Sequence, residues 1–349
     1  MRMCAVPVLW AVGIGVVAFA TPRLAVDSVV YDFGEVTEGY VVEHAFVLTN
    51  VGDAVLHFTR APIPDCGCTS APLAVGELAP GQSIELVVTF DTTGYGGKRV
   101  GKHVDLFTDA PGARRVRLTV RGYVREAAPY EGSASSLYWR WYLLLDLRPE
   151  DDFRKGHLFG AVNIPLAELP TAMSQLPRDF PVYLYDLDGS SLEQALGALT
   201  EAGFVAVRGI AGGLAGWRAG LGDLFIWGEA PKGVPPAVPE FPYAVPPESL
   251  AQEYIVVLDF RSEELYAAGH FPGALHADFG ALAALAATLP QPEGDARLYL
   301  WCMEEDGTAA CEAARFLREH GFPDARCMIG GLSQWRLLYG NQLLWASDD

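Results

Sequence analysis

The sequence has 349 residues and about half of them are apolar, which is enough core material for two to four domains. Its formal net charge of −18 at pH 7 excludes nucleic acid and anionic membrane surfaces as main partners, because binding to either one requires a basic patch. The acidic residues are scattered along the chain, which excludes a disordered acidic tail.

The N-terminal segment has the features of an export signal. Arg2 is followed by an apolar run that ends in the small-residue triplet Ala18–Ala20. This order predicts a secretory signal peptide over residues 1–20, cleaved after its last residue, and therefore a periplasmic or secreted protein. The alternative is an uncleaved membrane anchor, and only in that case do we expect contact with a membrane. Cys4 precedes the apolar run, so the segment does not fit a lipoprotein cleavage site.

Cysteine usage agrees with an oxidising compartment. The sequence has six cysteines, and removal of Cys4 with the signal peptide leaves an odd number. At least one thiol is therefore free or pairs with another molecule. An exported protein would be in an oxidising compartment.

Residues 27–125 consist of short runs that alternate apolar and polar residues, such as SIELVVTFDT and RRVRLTVRGYV. Turn-forming residues separate these runs at short spacing, and none has a helical period. This pattern predicts an antiparallel β-sandwich. Several motifs in the segment also resemble the bacterial immunoglobulin-like domain of the DUF1573 type, which implies an immunoglobulin-like sandwich. These motifs are Asp32-Phe33-Gly34 with Gly39, Phe46-x-Leu48-x-Asn50-x-Gly52, Cys66-Gly67-Cys68-Thr69 and Leu78-x-Pro80-Gly81.

Cys66 and Cys68 are separated by a single glycine. Such a pair can ligate a metal or form a small-ring disulfide that invites redox exchange. Two thiolates do not complete a four-ligand metal site, and His57 is the only histidine nearby in the sequence. We therefore favour a disulfide over a metal site, either as a redox pair or as a turn without catalytic function, and we predict no metal and no cofactor.

From about Tyr138 the sequence contains two copies of one unit, related by a nearly constant offset. Each copy alternates strand-like and helix-like segments, which predicts a parallel sheet flanked by helices with any site at the carboxyl ends of the strands. The matching motifs are Asp146-Leu147-Arg148 with Asp259-Phe260-Arg261, Gly156-His157 with Gly269-His270, and Gly212-Gly213 and Trp217 with Gly330-Gly331 and Trp335.

Both copies resemble the rhodanese-like family. The resemblance is carried by LLLDLRPEDDFRKGHLFGAVNIP and GIAGGLAGW in the first copy, and by VVLDFRSEELYAAGHFPGALH and MIGGLSQW in the second. It implies two α/β rhodanese-like domains, over residues 138–228 and 251–343. Between them, residues 229–250 contain seven prolines, which predicts a semi-rigid connector.

Rhodanese-like enzymes use a cysteine at the end of the central strand to take sulfane sulfur from a donor and pass it to a thiol acceptor. By this resemblance we predict Cys302, at the end of the apolar run LYLWC, as the catalytic residue. Thr308 matches the Ser or Thr that usually closes the loop, whereas Gly307 stands where an arginine is common. The predicted active-site loop consists of Met303, Glu304, Glu305, Asp306, Gly307 and Thr308.

The repeat places Asp186 at the corresponding position of the first copy. A carboxylate cannot carry sulfane sulfur, so this copy is predicted to be degenerate. In the second copy, the acidic loop weakens the case for thiosulfate turnover. A carboxylate about 6 Å from the sulfur raises the cost of a second negative charge by about 2 to 3 kcal/mol at an effective dielectric constant near 20. Three carboxylates can offset the helix-dipole benefit of up to about 2 kcal/mol.

Other residues of the two copies have structural interpretations. Cys302 itself has the alternative of a buried thiol without catalytic function. Cys311 and Cys327 are predicted to be small core residues, although a disulfide from either one to Cys302 stays open. We predict that the histidines of the GHxxGA turns, His157 and His270, bond the backbone, and that the Asp-x-Arg motifs form ion pairs that support the fold.

Two functions of different classes follow. The first is an exported sulfurtransferase or persulfide carrier that acts through Cys302, with the sulfur donor and the thiol acceptor unidentified. The second is a non-catalytic binding or scaffold protein of the cell envelope that binds a protein partner. A third hypothesis, thiol redox chemistry or soft-metal handling, concerns Cys66 and Cys68 alone.

Overall fold

In the computed structural model, residues 20–230 and 243–345 are described. The predicted signal peptide and most of the predicted proline-rich connector therefore lie outside the described residues. The described residues divide into two compact units. The first unit consists of residues 20–35, 42–91 and 99–123, and the second consists of residues 36–41, 92–98, 124–230 and 243–345.

The first unit is a sandwich of two sheets. Some of its strands extend past the limits of the unit. They are β1 (Leu24–Val26), β2 (Val30–Thr37), β3 (Val41–Asn50), β4 (Leu56–Pro64), β5 (Thr69–Ser70), β6 (Glu77–Leu78), β7 (Ser83–Asp91), β8 (Lys98–Thr108) and β9 (Arg115–Arg125). The sheets have the strand orders β1-β3-β7-β5 and β2-β9-β8-β4-β6. The pairings of β1 with β3, of β4 with β6 and β8, and of β5 with β7 are antiparallel.

Alternation of apolar and polar residues explains the packing of this unit. In β7 the residues Leu86, Val88 and Phe90 are buried, and their spacing of two places them on one face of the strand. The Phe90 ring meets Phe33 of the other sheet with centroids 6.3 Å apart. The predicted immunoglobulin-like sandwich is confirmed.

The second unit contains the two copies of the repeat. Their strands and helices are β10 (Glu131–Gly132), α1 (Ala134–Tyr138), β11 (Leu143–Asp146), α2 (Glu150–Lys155), β12 (Gly156–Leu158), β13 (Val162–Asn163), α3 (Leu169–Ala172), β14 (Val182–Tyr185), α4 (Leu192–Glu201), β15 (Val207–Ile210), α5 (Gly213–Leu221) and β16 (Ile226–Gly228) in the first copy. In the second copy they are β17 (Ala244–Val245), α6 (Pro247–Ala251), β18 (Tyr254–Asp259), α7 (Glu263–Ala268), β19 (Leu275–His276), a 3₁₀ turn (Phe279–Ala281), α8 (Leu282–Thr288), β20 (Leu298–Met303), α9 (Thr308–Glu319), β21 (Arg326–Met328) and α10 (Gly331–Tyr339).

Each copy has a parallel five-stranded sheet. The strand orders are β13-β11-β14-β15-β17 and β10-β21-β20-β18-β19, and the pairings along both orders are parallel. The prediction of two α/β domains with parallel sheets is confirmed. The central strands are β14 in the first copy and β20 in the second, which places their carboxyl ends in the middle of the sheet edge where a site is expected.

The first strand of each copy joins the sheet of the other copy. Glu131 in β10 pairs with Cys327 in β21 of the second copy, and Ala244 in β17 pairs with Gly209 in β15 of the first copy. The first copy therefore begins earlier than the predicted residue 138. The predicted connector ends earlier than residue 250, because residues 244–251 form β17 and α6.

Direct contacts hold the two copies together. The hydroxyl of the buried Tyr254 donates to the carbonyl of Phe159 at 2.7 Å. The backbones also approach closely at two glycines with positive φ, Gly160 and Gly273, and a Cβ added at Gly273 would lie 2.1 Å from the carbonyl oxygen of Gly160. No helix among residues 20–230 and 243–345 is long and apolar enough to span a membrane.

The Gly273 contact gives a test of the packing between copies. We expect Gly273→Ala to lower the free energy of unfolding by about 1 to 3 kcal/mol more than Gly222→Ala. Both positions have positive φ, +74° and +64°, which residues with a side chain rarely adopt, so backbone strain contributes to the loss in both variants. Only Gly273 would also clash, since a Cβ at Gly222 meets nothing within 4 Å. Urea unfolding followed by tryptophan fluorescence measures the difference, and equal losses would contradict the close approach.

Candidate functional site

The central strand of each copy ends at the same structural position. Tyr185, the last residue of β14, pairs with Asp146. Met303, the last residue of β20, pairs with Asp259. Because Asp146 and Asp259 belong to the same motif of the repeat, the residue that follows each strand is equivalent in the two copies.

Those equivalent residues are Asp186 and Glu304. The carbonyl of Asp186 accepts from the N–H of Leu214 at 2.9 Å, and the carbonyl of Glu304 accepts from the N–H of Leu332 at 2.8 Å. Both donors lie in the first turn of the helix that follows the Gly-Gly motif. The structure thus corrects the predicted register, in which Cys302 was the counterpart of Asp186. The counterpart of Cys302 is Leu184, a core residue of β14.

Cys302 lies within β20 and its side chain has no exposed surface. It packs in the same hydrophobic cluster as Tyr254 and Leu300. Burial raises the pKa of its thiol far above the usual value. The prediction that Cys302 occupies the strand-end site is therefore wrong in its geometry, because the strand continues through Met303 and turns the thiol into the core.

In the first copy, the carboxylate of Asp186 fills the loop that follows the strand. Its oxygens accept from the N–H groups of Gly189 and Ser191, the latter at 2.8 Å, and from the Ser191 hydroxyl. Asp186 is buried. The Asp186 side chain thus uses N–H groups of the loop that would otherwise be free to face a bound anion.

In the second copy, Glu304 is placed in the same way. Its Oε1 accepts from the N–H of Ala309 and, at 3.4 Å, from the N–H of Ala310, both in the first turn of α9. Burial raises the pKa of the Glu304 carboxyl, and the nearby charge of Asp306 acts in the same direction. Asp306 accepts from the N–H of Thr308 at 3.0 Å, and this hydrogen bond lowers the pKa of Asp306.

The remaining loop residues also have partners. Glu305 forms an ion pair with Arg336 of α10. The cation beside the loop therefore comes from another element, because the sequence between Cys302 and Ala314 contains no Lys or Arg. Gly307 has φ of +88°, and a Cβ there would lie 2.7 Å from the carbonyl oxygen of Met328. An arginine does not fit at this position, and Gly307 is instead the counterpart of Gly189, whose φ is +86°.

The structural interpretation of the histidines is confirmed. His157 Nδ1 lies 2.9 Å from the carbonyl oxygen of Phe153, and His270 Nδ1 lies 3.0 Å from that of Tyr266. Burial lowers the pKa of both imidazoles, which favours the neutral form that bonds the backbone.

The Asp-x-Arg motifs form ion pairs, as predicted. Arg148 pairs with Asp146, and Arg261 pairs with Asp259. All four residues are buried, and each guanidinium also donates to the carbonyl of the glycine in the following GHxxGA turn. These pairs fix the turn to the strand.

Four of the five described cysteines form two disulfides. Cys66 is bonded to Cys68, as favoured by the sequence, and Cys311 is bonded to Cys327. Cys302 is a free buried thiol, so the disulfide that stayed open for Cys302 is not formed. Among the described residues, no group of three or more His, Cys, Asp or Glu side chains is arranged to hold a metal ion.

The sequence contained a signal for the correct register that the prediction did not use. The interval from Gly212 to Gly330 in the Gly-Gly motifs equals the interval from Asp186 to Glu304. The earlier motifs are separated by only 113 residues, as from Asp146 to Asp259, because the second copy has 5 more residues than the first between these motifs and the Gly-Gly motif. The predicted pairing of Asp186 with Cys302 corresponds to an interval of 116, between the two values. Local alignment on the nearest motif would have identified Glu304.

Comparison with known proteins matches both parts of the chain. The family model "Protein of unknown function (DUF1573)" matches residues 24–124. The model "Rhodanese-like domain" matches residues 134–220 and 247–338.

Individual relatives cover smaller parts of the chain. It is 37% identical over 78 residues to the uncharacterized protein YibN of Escherichia coli K12, which is 22% of this chain and 54% of YibN. It is 34% identical over 98 residues to the thiosulfate sulfurtransferase GlpE of Pseudomonas fluorescens, which is 27% of this chain and 85% of GlpE. The chain thus spans little more than half the length of YibN.

Two solved structures are similar to parts of the chain. A rhodanese-like domain of the Alr3790 protein from Anabaena is 30% identical with a TM-score of 0.22, covering 26% of this chain and 93% of that domain. A PapD-like domain of human CEP192 is 14% identical with a TM-score of 0.25, covering 37% of this chain and all of that domain.

Alkylation with peptide mapping tests the placement of the thiols. In the folded protein we expect N-ethylmaleimide to leave Cys302 unmodified, because the thiol is buried and its raised pKa disfavours the reactive thiolate. In denaturant without reductant, Cys302 should become fully modified, and the four disulfide-bonded cysteines should react only after reduction. The variant Glu304→Cys is the matched control, since residue 304 is half-buried at the loop and should react in the folded state. Rapid modification of Cys302 in the folded wild-type protein would contradict its placement.

Proposed function

Because the chain belongs to the rhodanese-like family, with a DUF1573-type domain before its two rhodanese-like domains, we propose that its tandem rhodanese unit is a binding module without sulfurtransferase activity. The observation that carries this proposal is the carboxylate at the strand end of both copies. Asp186 and Glu304 stand where the family resemblance calls for the nucleophile. Both already accept hydrogen bonds from the N–H groups of their loops.

The chemistry of sulfur transfer supports this proposal. A persulfide forms only on a thiolate, and the anionic donor must dock on hydrogen-bond donors close to that sulfur. Here the donors are taken by a fixed carboxylate. A negative charge about 6 Å from a docked anion costs about 2 to 3 kcal/mol at an effective dielectric constant near 20, so the loop disfavours thiosulfate even as a ligand.

The alternative within the same family is a persulfide carrier that acts through Cys302. The similarity of part of the chain to the thiosulfate sulfurtransferase GlpE supports this alternative. For that activity the thiol would have to leave a core that also contains residues of the first copy, such as Phe159. Moving it to solvent would require β20 to separate from its neighbours. We therefore place this function second.

We also propose that the protein acts outside the cytoplasm and binds an envelope protein there. The N-terminal sequence supports export, as argued above. Two disulfides in one chain support an oxidising compartment, since cytosolic thiols are kept reduced.

Intact-mass measurement tests the absence of sulfur transfer. Wild-type protein incubated with thiosulfate, mercaptopyruvate or glutathione persulfide should gain no sulfur atom in the tandem rhodanese unit, and peptide mapping locates any adduct in the chain. Glu304→Cys should gain one sulfur from glutathione persulfide, because it places a thiol beside the N–H groups of α9, and Glu304→Gln should gain none. An adduct on the wild-type protein that Cys302→Ser abolishes would overturn the proposal and favour the persulfide carrier. Envelope partners retained by cross-linking should be the same for wild type and Cys302→Ser.

N-terminal sequencing tests the proposed location. In cells that express the full sequence, we expect the protein in the extracytoplasmic fraction with Thr21 as its first residue, because the signal peptide ends at Ala20. Replacing Ala18 and Ala20 by bulky residues should leave the precursor uncleaved, which serves as the control. Wild-type protein in the cytoplasm with an intact N-terminus would contradict export.

A further inference from the structure

We propose that Cys66 and Cys68 form a redox-active disulfide that oxidises pairs of thiols in extracytoplasmic polypeptides. This activity is independent of the function proposed for the tandem rhodanese unit. Four features of the first unit lead to it: access to the sulfurs, the short loop that the disulfide closes, a backbone anchored without it, and a hydroxyl that stabilises one sulfur as a leaving group.

The turn that carries this disulfide is partly exposed. Cys66 and Cys68 are both half-buried, and Gly67 between them is exposed with nothing within 4 Å of the position of an added Cβ. A substrate thiolate can therefore approach at the turn. The other disulfide of the chain differs, because Cys327 has no exposed surface and packs in the hydrophobic core.

The two disulfides also close loops of very different length. Cys66 and Cys68 are 2 residues apart in sequence, whereas Cys311 and Cys327 are 16 apart. Stabilisation by a disulfide grows with the length of the loop it closes. Reduction of the Cys66–Cys68 bond therefore costs the folded domain little, and exposed disulfides of this kind are the ones that exchange readily.

Hydrogen bonds hold the turn on both sides without help from the disulfide. Before it, the N–H of Asp65 donates to the carbonyl of His103 at 3.0 Å, and the N–H of His103 donates to the Asp65 carboxylate at 3.1 Å. After it, the carbonyl of Cys68 accepts from the N–H of Asp91 at 2.9 Å. His103 lies in β8 and Asp91 in β7, so the turn is fixed to both sheets. The reduced pair would stay in place and could be oxidised again.

Thr69 distinguishes the two sulfurs. Its Oγ1 lies 3.4 Å from Cys66 Sγ and 3.9 Å from Cys68 Sγ. A disulfide sulfur carries no proton, so the hydroxyl is the donor in this contact. A donor close to Cys66 Sγ stabilises a thiolate there. This contact favours Cys66 as the leaving group, with the substrate thiolate attacking Cys68.

The reaction balances with the substrate as the reductant. The first substrate thiolate attacks Cys68 Sγ, the Sγ–Sγ bond breaks, and its electron pair stays on Cys66 as the thiolate. The second substrate thiolate then attacks the substrate sulfur of the mixed disulfide and releases Cys68 as a thiolate. The substrate gains a disulfide, and Cys66 and Cys68 end as a dithiol. Glutathione disulfide can restore the oxidised pair by the same two exchanges in reverse.

Redox equilibration of the full chain tests the accessibility of the pair. The protein is incubated in buffers with graded ratios of reduced to oxidised glutathione, quenched with acid, alkylated and mapped by mass spectrometry. We expect Cys66 and Cys68 to appear as thiols at ratios at least about tenfold less reducing than those needed for Cys311 and Cys327, with an unchanged circular dichroism spectrum. Reduction of both disulfides at the same ratio, or only with loss of the fold, would overturn the proposal.

Oxidation of a reduced two-cysteine peptide tests the activity itself. The wild-type protein should form about one peptide disulfide per chain, and the rapidly quenched mixed disulfide should map to Cys68. Thr69→Val should slow this oxidation, because it removes the hydroxyl and keeps the shape of the side chain. Thr69→Ser keeps the hydroxyl and removes the methyl group, so it should oxidise the peptide at about the wild-type rate. If Thr69 acted only through packing of its methyl group, Thr69→Ser would be the slower variant. The double variant Cys66→Ser, Cys68→Ser should be inactive. Peptide oxidation by the double variant at the wild-type rate, or no oxidation by folded wild-type protein, would overturn the proposal.

Discussion

The tandem rhodanese unit depends on the exchange of edge strands between its two copies. β10 and β17 have two residues each, and strands this short gain little from pairing alone. Each is followed by a short helix that packs on the other copy. In the case of α1, the Tyr138 ring stacks on Tyr339 of α10 with centroids 4.0 Å apart. Neither sheet is complete without residues from both copies, so the copies form one cooperative unit.

This shared core determines what the cysteine of the second copy can do. Cys302 belongs to a cluster that includes residues of both copies, such as Tyr185 and Tyr254, so exposing its thiol would disturb more than one domain. The strand ends, in contrast, lie at the sheet edge. Asp186 reaches the N–H groups of Gly189 and Ser191 in the loop before α4. The longer Glu304 reaches N–H groups in the first turn of α9. Side chains of different length thus satisfy equivalent loops in the same way.

Hydrophobic pattern was sufficient for the type of each domain and insufficient for the exchanged strands and for the strand-end residue. Alternation of apolar and polar residues identified the sandwich, and the repeated motifs identified two parallel sheets, because these patterns follow directly from which faces are buried. The exchanged strands could not be predicted, since β10 and β17 are too short to have a pattern and their pairing is long-range. The identity of the strand-end residue depended on a register difference of two residues. In a strand, a shift of that size keeps the side chain on the same face, so hydrophobic pattern could not distinguish Cys302 from Glu304.

The placement of sulfur separates the two parts of the chain chemically. In the tandem unit, the free thiol is buried and one sulfur of the disulfide is inside the core, so thiolate chemistry there would require partial unfolding. In the sandwich, the Cys66–Cys68 pair lies at a half-exposed turn whose backbone is held independently. Reactivity of a thiol or disulfide follows access and the stability of the thiolate. On that basis the sulfurs of the rhodanese fold are the less accessible ones in the described structure, and the half-exposed Cys66–Cys68 pair of the immunoglobulin-like domain is the more accessible one.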